Sequence, residues 1–248
     1  MTDWFDQLQR EHSSAPEIAR YRWQTGQPRI RQLEERLLGP IFEGVPADTR
    51  LLEVGCGEGA NLVTLVRLGF RGDYVGIDAS GGKVAFAIRE HPGRNQHFLV
   101  ADAVQLPFPD RAFASVLCRD VLHHVSRRAS LVAELTRVAA ERIVLIEPNP
   151  FSWLIAGFGL LDRAERGMFR STPASLDRLI AQVAPSWRVT RHWAEPSPLA
   201  RLALHYRFGV PALGRSPFVD RALGALDRVT ELGPHALWAY QVLVLEAA

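Results

Sequence analysis

The chain alternates between short apolar runs and segments whose apolar residues recur every three to four positions. The runs lie at 51–54, 73–78, 98–102, 112–118, 143–147, 187–193 and 237–246. They are rich in Val, Ile, Leu and Phe and are mostly bounded by Gly, Pro, Asp or Ser, so each reads as a strand. Helical spacing appears over 28–42 through Ile30, Leu33, Leu37, Leu38 and Ile41, over 60–68 through Leu62, Leu65, Val66 and Leu68, and over 127–139 through Leu131, Val132, Leu135 and Val138. Further helices are predicted at 80–91, where Ser80 can cap, and at 171–184, where Ser171 or Thr172 precedes Pro173. Strands that alternate with helices predict an α/β domain with a largely parallel sheet.

Three stretches fall outside that alternation. Before the first strand, Trp4, Phe5 and Leu8 form one short amphipathic turn and Ile18, Tyr21 and Arg22 a second. After the fifth strand, Pro148-Asn149-Pro150 forces an extended exit, and 151–170 carries Phe151, Trp153, Leu154, Ile155, Phe158, Leu160 and Leu161. This piece reads either as a wall over an apolar substrate or as a core helix. Between the last two strands lies an insertion at 196–234, with amphipathic helices expected at 199–208 and 218–229. The insertion could shape a substrate pocket, form a dimer interface, or lie on a membrane surface. Asp220, Asp227 and Glu231 dilute the basic face that the last use needs.

The chemistry is concentrated where the first strand breaks into Gly55-Cys56-Gly57-Glu58-Gly59 and then becomes a helix. Residues without a Cβ let the chain turn sharply and let a ligand approach bare backbone N–H groups at a helix start. The spacing is Gly-x-Gly-x-Gly, not the Gly-x-Gly-x-x-Gly of a dinucleotide site. Carboxylates at Glu53 and Glu58 would repel a pyrophosphate and suit a ligand bearing an ammonium or sulfonium. Asp78 ends the second strand 21 residues after Gly57, where a carboxylate can accept both hydroxyls of a ribose.

The Glu-x-Gly-x-Gly-x-Gly pattern resembles motif I of the class I S-adenosylmethionine-dependent methyltransferases. Arg119-Asp120-Val121-Leu122-His123-His124 resembles a stretch of their type 11 small-molecule group. The resemblance covers about 45–150. It implies a Rossmann-like, seven-stranded doubly wound sheet in the order 3-2-1-4-5-7-6 with the last strand antiparallel. It implies an N-terminal helical cap at 1–45, a core at 46–195 and 237–248, and substrate-cap insertions at 151–170 and 196–236. The cofactor it implies is S-adenosyl-L-methionine, with S-adenosyl-L-homocysteine as product. Its site would comprise Glu53, Gly55, Cys56, Gly57 and Gly59 in the loop, Asp78 and Ala79 at the ribose, Asp102 and Ala103 at the adenine, and the carbonyl around Cys118 at the methionine ammonium. Tyr21, Arg22 and Trp23 are candidates to cover the methionine end. One departure from the family is Phe113-Ala114, where Phe-Asp is usual.

Composition narrows the partners. Net charge is +2, and 28 of the 29 basic residues are Arg spread along the chain, so no strong field favours nucleic acid or an anionic membrane. The two cysteines, Cys56 and Cys118, both sit at ligand positions, so a disulfide is not expected and a reducing cytoplasm fits. No signal segment and no run long enough to span a bilayer is read. No metal-ligand spacing is read either.

A base is needed only for a poorly acidic acceptor. His123 is the first candidate, with His124 beside it and Asp120 placed to orient both if the stretch is helical. The activity expected is methyl transfer, O-methylation favoured, to a small apolar or aromatic acceptor in bacterial secondary metabolism. The alternatives are S-adenosylmethionine-dependent cyclisation or rearrangement without methyl transfer, and a non-catalytic binding subunit; a nicotinamide enzyme is disfavoured by the glycine spacing.

Overall fold

The computed structural model describes residues 15–42, 46–195, 198–206 and 209–247. The amphipathic turn expected at Trp4, Phe5 and Leu8 lies outside them. The N-terminal helices are α1 (Ala15–Gly26) and α2 (Pro28–Leu38). The core then runs β1 (Leu51–Val54), α3 (Ala60–Arg67), β2 (Tyr74–Asp78), α4 (Gly81–Glu90), β3 (Gln96–Val100), β4 (Phe113–Arg119), α5 (Arg128–Val138) and β5 (Ala139–Pro148). It closes with α6 (Trp153–Leu161), a 3-10 segment (Arg163–Arg170), α7 (Pro173–Val183), β6 (Trp187–Ala194), α8 (Leu199–Ala203), α9 (Pro217–Thr230) and β7 (Tyr240–Ala247).

The seven strands form one sheet in the order β3-β2-β1-β4-β5-β7-β6, with β7 antiparallel to both its neighbours. This is the doubly wound sheet expected. Strand order reverses at β1, which pairs in parallel with β2 and β4, so a crevice opens at the carboxyl ends of those strands. Their register is tight: Val54 lies opposite both Ile77 and Cys118, so the glycine loop, Asp78 and the end of β4 reach the same edge together.

Both sheet faces are covered, as central parallel strands with every residue buried require. On one face Leu37, Leu38 and Ile41 join Leu62, Leu65 and Val84 over Leu51, Leu117 and Val144. On the other, Leu131 and Leu135 of α5 and Leu176 and Ile180 of α7 pack over Leu52, Val116 and Ile143. A third cluster joins α2 to the insertion, with Ile30 and Leu33 against Ala200 and Leu204. Asp227 of α9 is ion-paired with buried Arg29 of α2.

Several boundaries differ from the sequence expectation. β3 is Gln96–Val100 and so ends before Asp102, because Asp102 accepts from the Val104 backbone N–H and starts a turn. α2 stops at Leu38, since Gly39-Pro40 passes into a 3-10 turn. The helix expected over 199–208 is described only as Leu199–Ala203. β7 begins at Tyr240, because 235–237 is a 3-10 turn. α6 is not a core helix: Gly159 is its one buried residue, and Trp153, Leu160 and Leu161 are 68%, 65% and 88% exposed. Among the described residues no helix is long and apolar enough to cross a membrane.

Candidate functional site

The strand-to-helix turn after β1 is made by three glycines with positive φ: Gly55 at 78°, Gly57 at 53° and Gly59 at 80°. A Cβ on Gly57 would meet only the Arg20 guanidinium, at 4.0 Å, so bare backbone faces open space there. The Gly57 N–H donates to Asp78 Oδ2 at 3.0 Å, and the Ser80 N–H to Asp78 Oδ1 at 2.8 Å. Each oxygen keeps a lone pair for a ligand. Asp78 therefore both braces the loop and stands at its mouth. Ala79, which follows it, is half-buried. Asp102 sits beyond β3 with its carboxylate 40% exposed and Arg127 at 3.8 Å, and Ala103 packs on the core beside it.

Cys56 and Cys118 are free, buried thiols, and burial raises the pKa of both. Of the N-terminal residues proposed to cover the loop, Arg22 is exposed. Tyr21 packs edge-on to Phe86 and lies near His91, and the Trp23 indole donates to the Leu204 carbonyl at 2.5 Å. The arginine that reaches the loop is Arg20, with Nη2 3.5 Å from Glu58 Oε2. Arg22 and Arg20 differ by two positions, which on a helix puts them on different faces.

Glu53 does not present its carboxylate to the crevice. It is fully buried, accepting from Asn61 Nδ2 at 2.6 Å and from the Tyr74 hydroxyl at 2.5 Å. Burial raises its pKa to about 7 against those two hydrogen bonds. Asn61 Oδ1 in turn accepts from Arg119 at 2.9 Å. Arg119 also pairs with Glu34, which pairs with Arg201 at 2.7 Å, which pairs with Glu195 at 2.6 Å. This buried polar chain ties the glycine strand to α2 and to the insertion. Burial alone would raise the Glu34 pKa, but Arg119 and Arg201 outweigh it and hold it at about 2.

After β4 the chain turns rather than forming a helix, and Asp120 takes φ 55°. Asp120 is thereby turned onto Arg119 Nε at 3.3 Å and does not bond His123, so the expected orienting role falls elsewhere. His123 is fully buried, and its Nδ1 lies 3.0 Å from Glu147 Oε2 at the end of β5. Glu147 also accepts from Ser171 Oγ at 2.8 Å and from the Leu122 N–H at 3.1 Å. His123 Nε2 lies 3.3 Å from Glu165 Oε2 of the 3-10 segment. Burial alone would lower the His123 pKa, but the two carboxylates outweigh it and raise it to about 10. The two carboxylates thus favour the charged ring, which makes His123 a poor proton acceptor. His124 is exposed, its ring centroid 4.0 Å from that of His123, and burial of the ring nitrogens and the neighbouring charge lower its pKa. Of the two, His124 is the one held toward the neutral form.

Glu147, Glu165, Arg20 and Arg119 carried no sequence signal as site residues. Glu147 and Glu165 come from 24 and 42 positions beyond His123, and neither spacing follows a local period.

Residues 52–145 match the family model described as a methyltransferase domain. This stretch is a class I S-adenosylmethionine-dependent methyltransferase domain. The methyltransferase domain is similar to a fatty-acid O-methyltransferase of Mycolicibacterium smegmatis, 36% identical over 89 residues, which is 36% of this chain and 32% of that protein. It is similar to phthiotriol/phenolphthiotriol dimycocerosates methyltransferase 1 of Mycobacterium ulcerans, 33% identical over 36% of this chain and 33% of that one. The matches thus span about a third of those relatives. The whole chain shares its fold with the Haemonchus contortus phosphoethanolamine N-methyltransferase 2 solved in complex with S-adenosyl-L-methionine, at TM-score 0.65 and 16% identity, over 100% of this chain and 60% of that one.

The methyltransferase domain fits that cofactor on its own geometry. Gly57 offers open backbone, Asp78 a braced carboxylate with lone pairs to spare, and Asp102 a solvent-facing carboxylate, donors and acceptors of the kind such a cofactor needs. A largely apolar cavity of about 190 Å³ lies between α6 and the insertion, lined by Trp153, Leu154, Leu199, Leu237 and Trp238. A cleft of about 300 Å³ between Leu62 and Gln96 lies at the amino end of β3 and is lined by none of the candidate site residues.

Proposed function

We propose that the protein transfers a methyl group from S-adenosyl-L-methionine to an oxygen of a small apolar acceptor. One observation carries the reading: an exposed apolar helix, α6, leads directly into Glu165, which faces His123 across the carboxyl edge. An acceptor with an apolar body and one oxygen at its end matches that succession of apolar and polar surface. The name of the Mycolicibacterium smegmatis relative supports an acyl chain as the body.

In this reading Asp78 and the glycine loop hold the sugar and Asp102 the base. When bound, the cofactor supplies an electrophilic methyl on a sulfonium, and the protein supplies alignment and a dry site. The imidazolium of His123 holds Glu147 and Glu165 in place, and a hydroxyl acceptor would give its proton to His124. A carboxylate acceptor needs no base. We assign the N-terminal helices, 151–170 and 196–236 to covering the acceptor.

Incubation with methyl-labelled cofactor and a panel of fatty acids and aromatic hydroxyls tests this. Label recovered as an O-methyl product supports it. A product of unchanged mass, or no cofactor binding by calorimetry, overturns it.

A further inference from the structure

His123, His124 and Glu165 bring two imidazole nitrogens and a carboxylate oxygen within 4.8 Å of one another. We propose that these three side chains bind a divalent transition-metal ion of the zinc, iron(II) or cobalt(II) class. Two imidazoles and one carboxylate are the donor set that such ions favour over magnesium or calcium, which take oxygen ligands.

Three independent features make this a built site. His123 Nε2 is fully buried and stands 3.3 Å from Glu165 Oε2 with no aligned hydrogen bond, so a divalent ion between the two would take the place of the ring's second proton. A buried ring nitrogen left so is costly, and it points at the other two donors. His123 Nδ1 meets the Glu147 carboxylate, and Ser171 and the Leu122 N–H hold that carboxylate in turn. A carboxylate behind a histidine is the support that fixes the ring for metal binding. Finally, the segment bearing Glu165 is pinned: a Cβ on Gly167 would fall 1.8 Å from the His123 carbonyl oxygen, and Arg170 donates to that oxygen at 3.1 Å. With metal bonds of about 2.1 Å, tetrahedral donors stand about 3.4 Å apart. The side chains need to close by up to about 1.4 Å, which rotation of the exposed His124 and half-buried Glu165 can supply.

Three protein ligands leave coordination positions open. Building on the function proposed above, those positions would take the acceptor oxygen, and the ion would lower the acceptor's pKa in place of His124.

The test is uptake of Zn²⁺ by chelator-treated full chain, read by calorimetry, with Co²⁺ visible absorption reporting the ligand set. Neither acceptor nor methyl donor is present, so failure of methyl transfer leaves the result intact. One ion per chain is expected, with His124→Ala and Glu165→Gln each weakening it at least tenfold while circular dichroism is unchanged. No uptake, or uptake that both folded variants retain, overturns the proposal. So does uptake of Mg²⁺ in preference to Zn²⁺.

Discussion

Arg119, the last residue of β4, donates to the buried carboxylate of Glu34 on α2. The pair is 85 positions apart in sequence and joins the end of a central strand to the helix that covers the sheet. Arg201 of the insertion closes on the same carboxylate, so one acidic residue holds three parts of the molecule together.

Glu34→Gln removes the charge between two buried guanidinium groups and is expected to cost about 3–5 kcal/mol of stability, read as a lower melting temperature. In the wild type, the Glu34 pKa is held at about 2, below its unfolded value. Its contribution is present above pH 4.5 and is lost as pH falls toward 2, a change of about 3 kcal/mol. A variant with an unchanged melting temperature at pH 7 would show the pairing to be idle.

Glu53 works in the opposite sense. Its folded-state pKa of about 7 lies above the unfolded value, so the folded protein binds that proton more tightly. Stability from this group is present below pH 4.5 and is lost as pH rises through about 7. Glu53→Gln should flatten the pH dependence of denaturant unfolding between pH 5 and pH 8. A slope that persists in the variant belongs to another group.

Asp78→Ala should weaken S-adenosylmethionine binding roughly tenfold or more, the scale of one or two hydrogen bonds to a charged group. Calorimetry reads it directly. The variant also loses the brace on the Gly57 N–H, so Asp78→Asn, which keeps an acceptor oxygen, should recover part of the loss. Affinity equal to wild type in both would make Asp78 a loop brace only.

His123 and His124 should separate by measurement. His123→Ala leaves Glu147 without its counter-charge and should cost about 3–5 kcal/mol of stability. His124→Ala should leave stability nearly unchanged and lower turnover of hydroxyl acceptors by about 10²-fold. Full turnover in His124→Ala would remove it from the chemistry.

What the chain determined by itself is what local pattern can encode. Seven apolar runs alternating with helical spacing specify the strands, and Gly55-x-Gly57-x-Gly59 specifies an open strand-to-helix turn, because turn chemistry and strand length act over a few residues. The burial of Glu53, which turns it away from the crevice, depends on Tyr74 and Asn61 arriving beside it. The pairing of His123 with Glu147 and Glu165 instead of Asp120 depends on β5 and the 3-10 segment ending where they do. A side chain's charge state and partners are set by neighbours across the sheet, and no periodicity along the chain records those. Only tertiary structure could set His123 between two carboxylates and leave His124 exposed beside it.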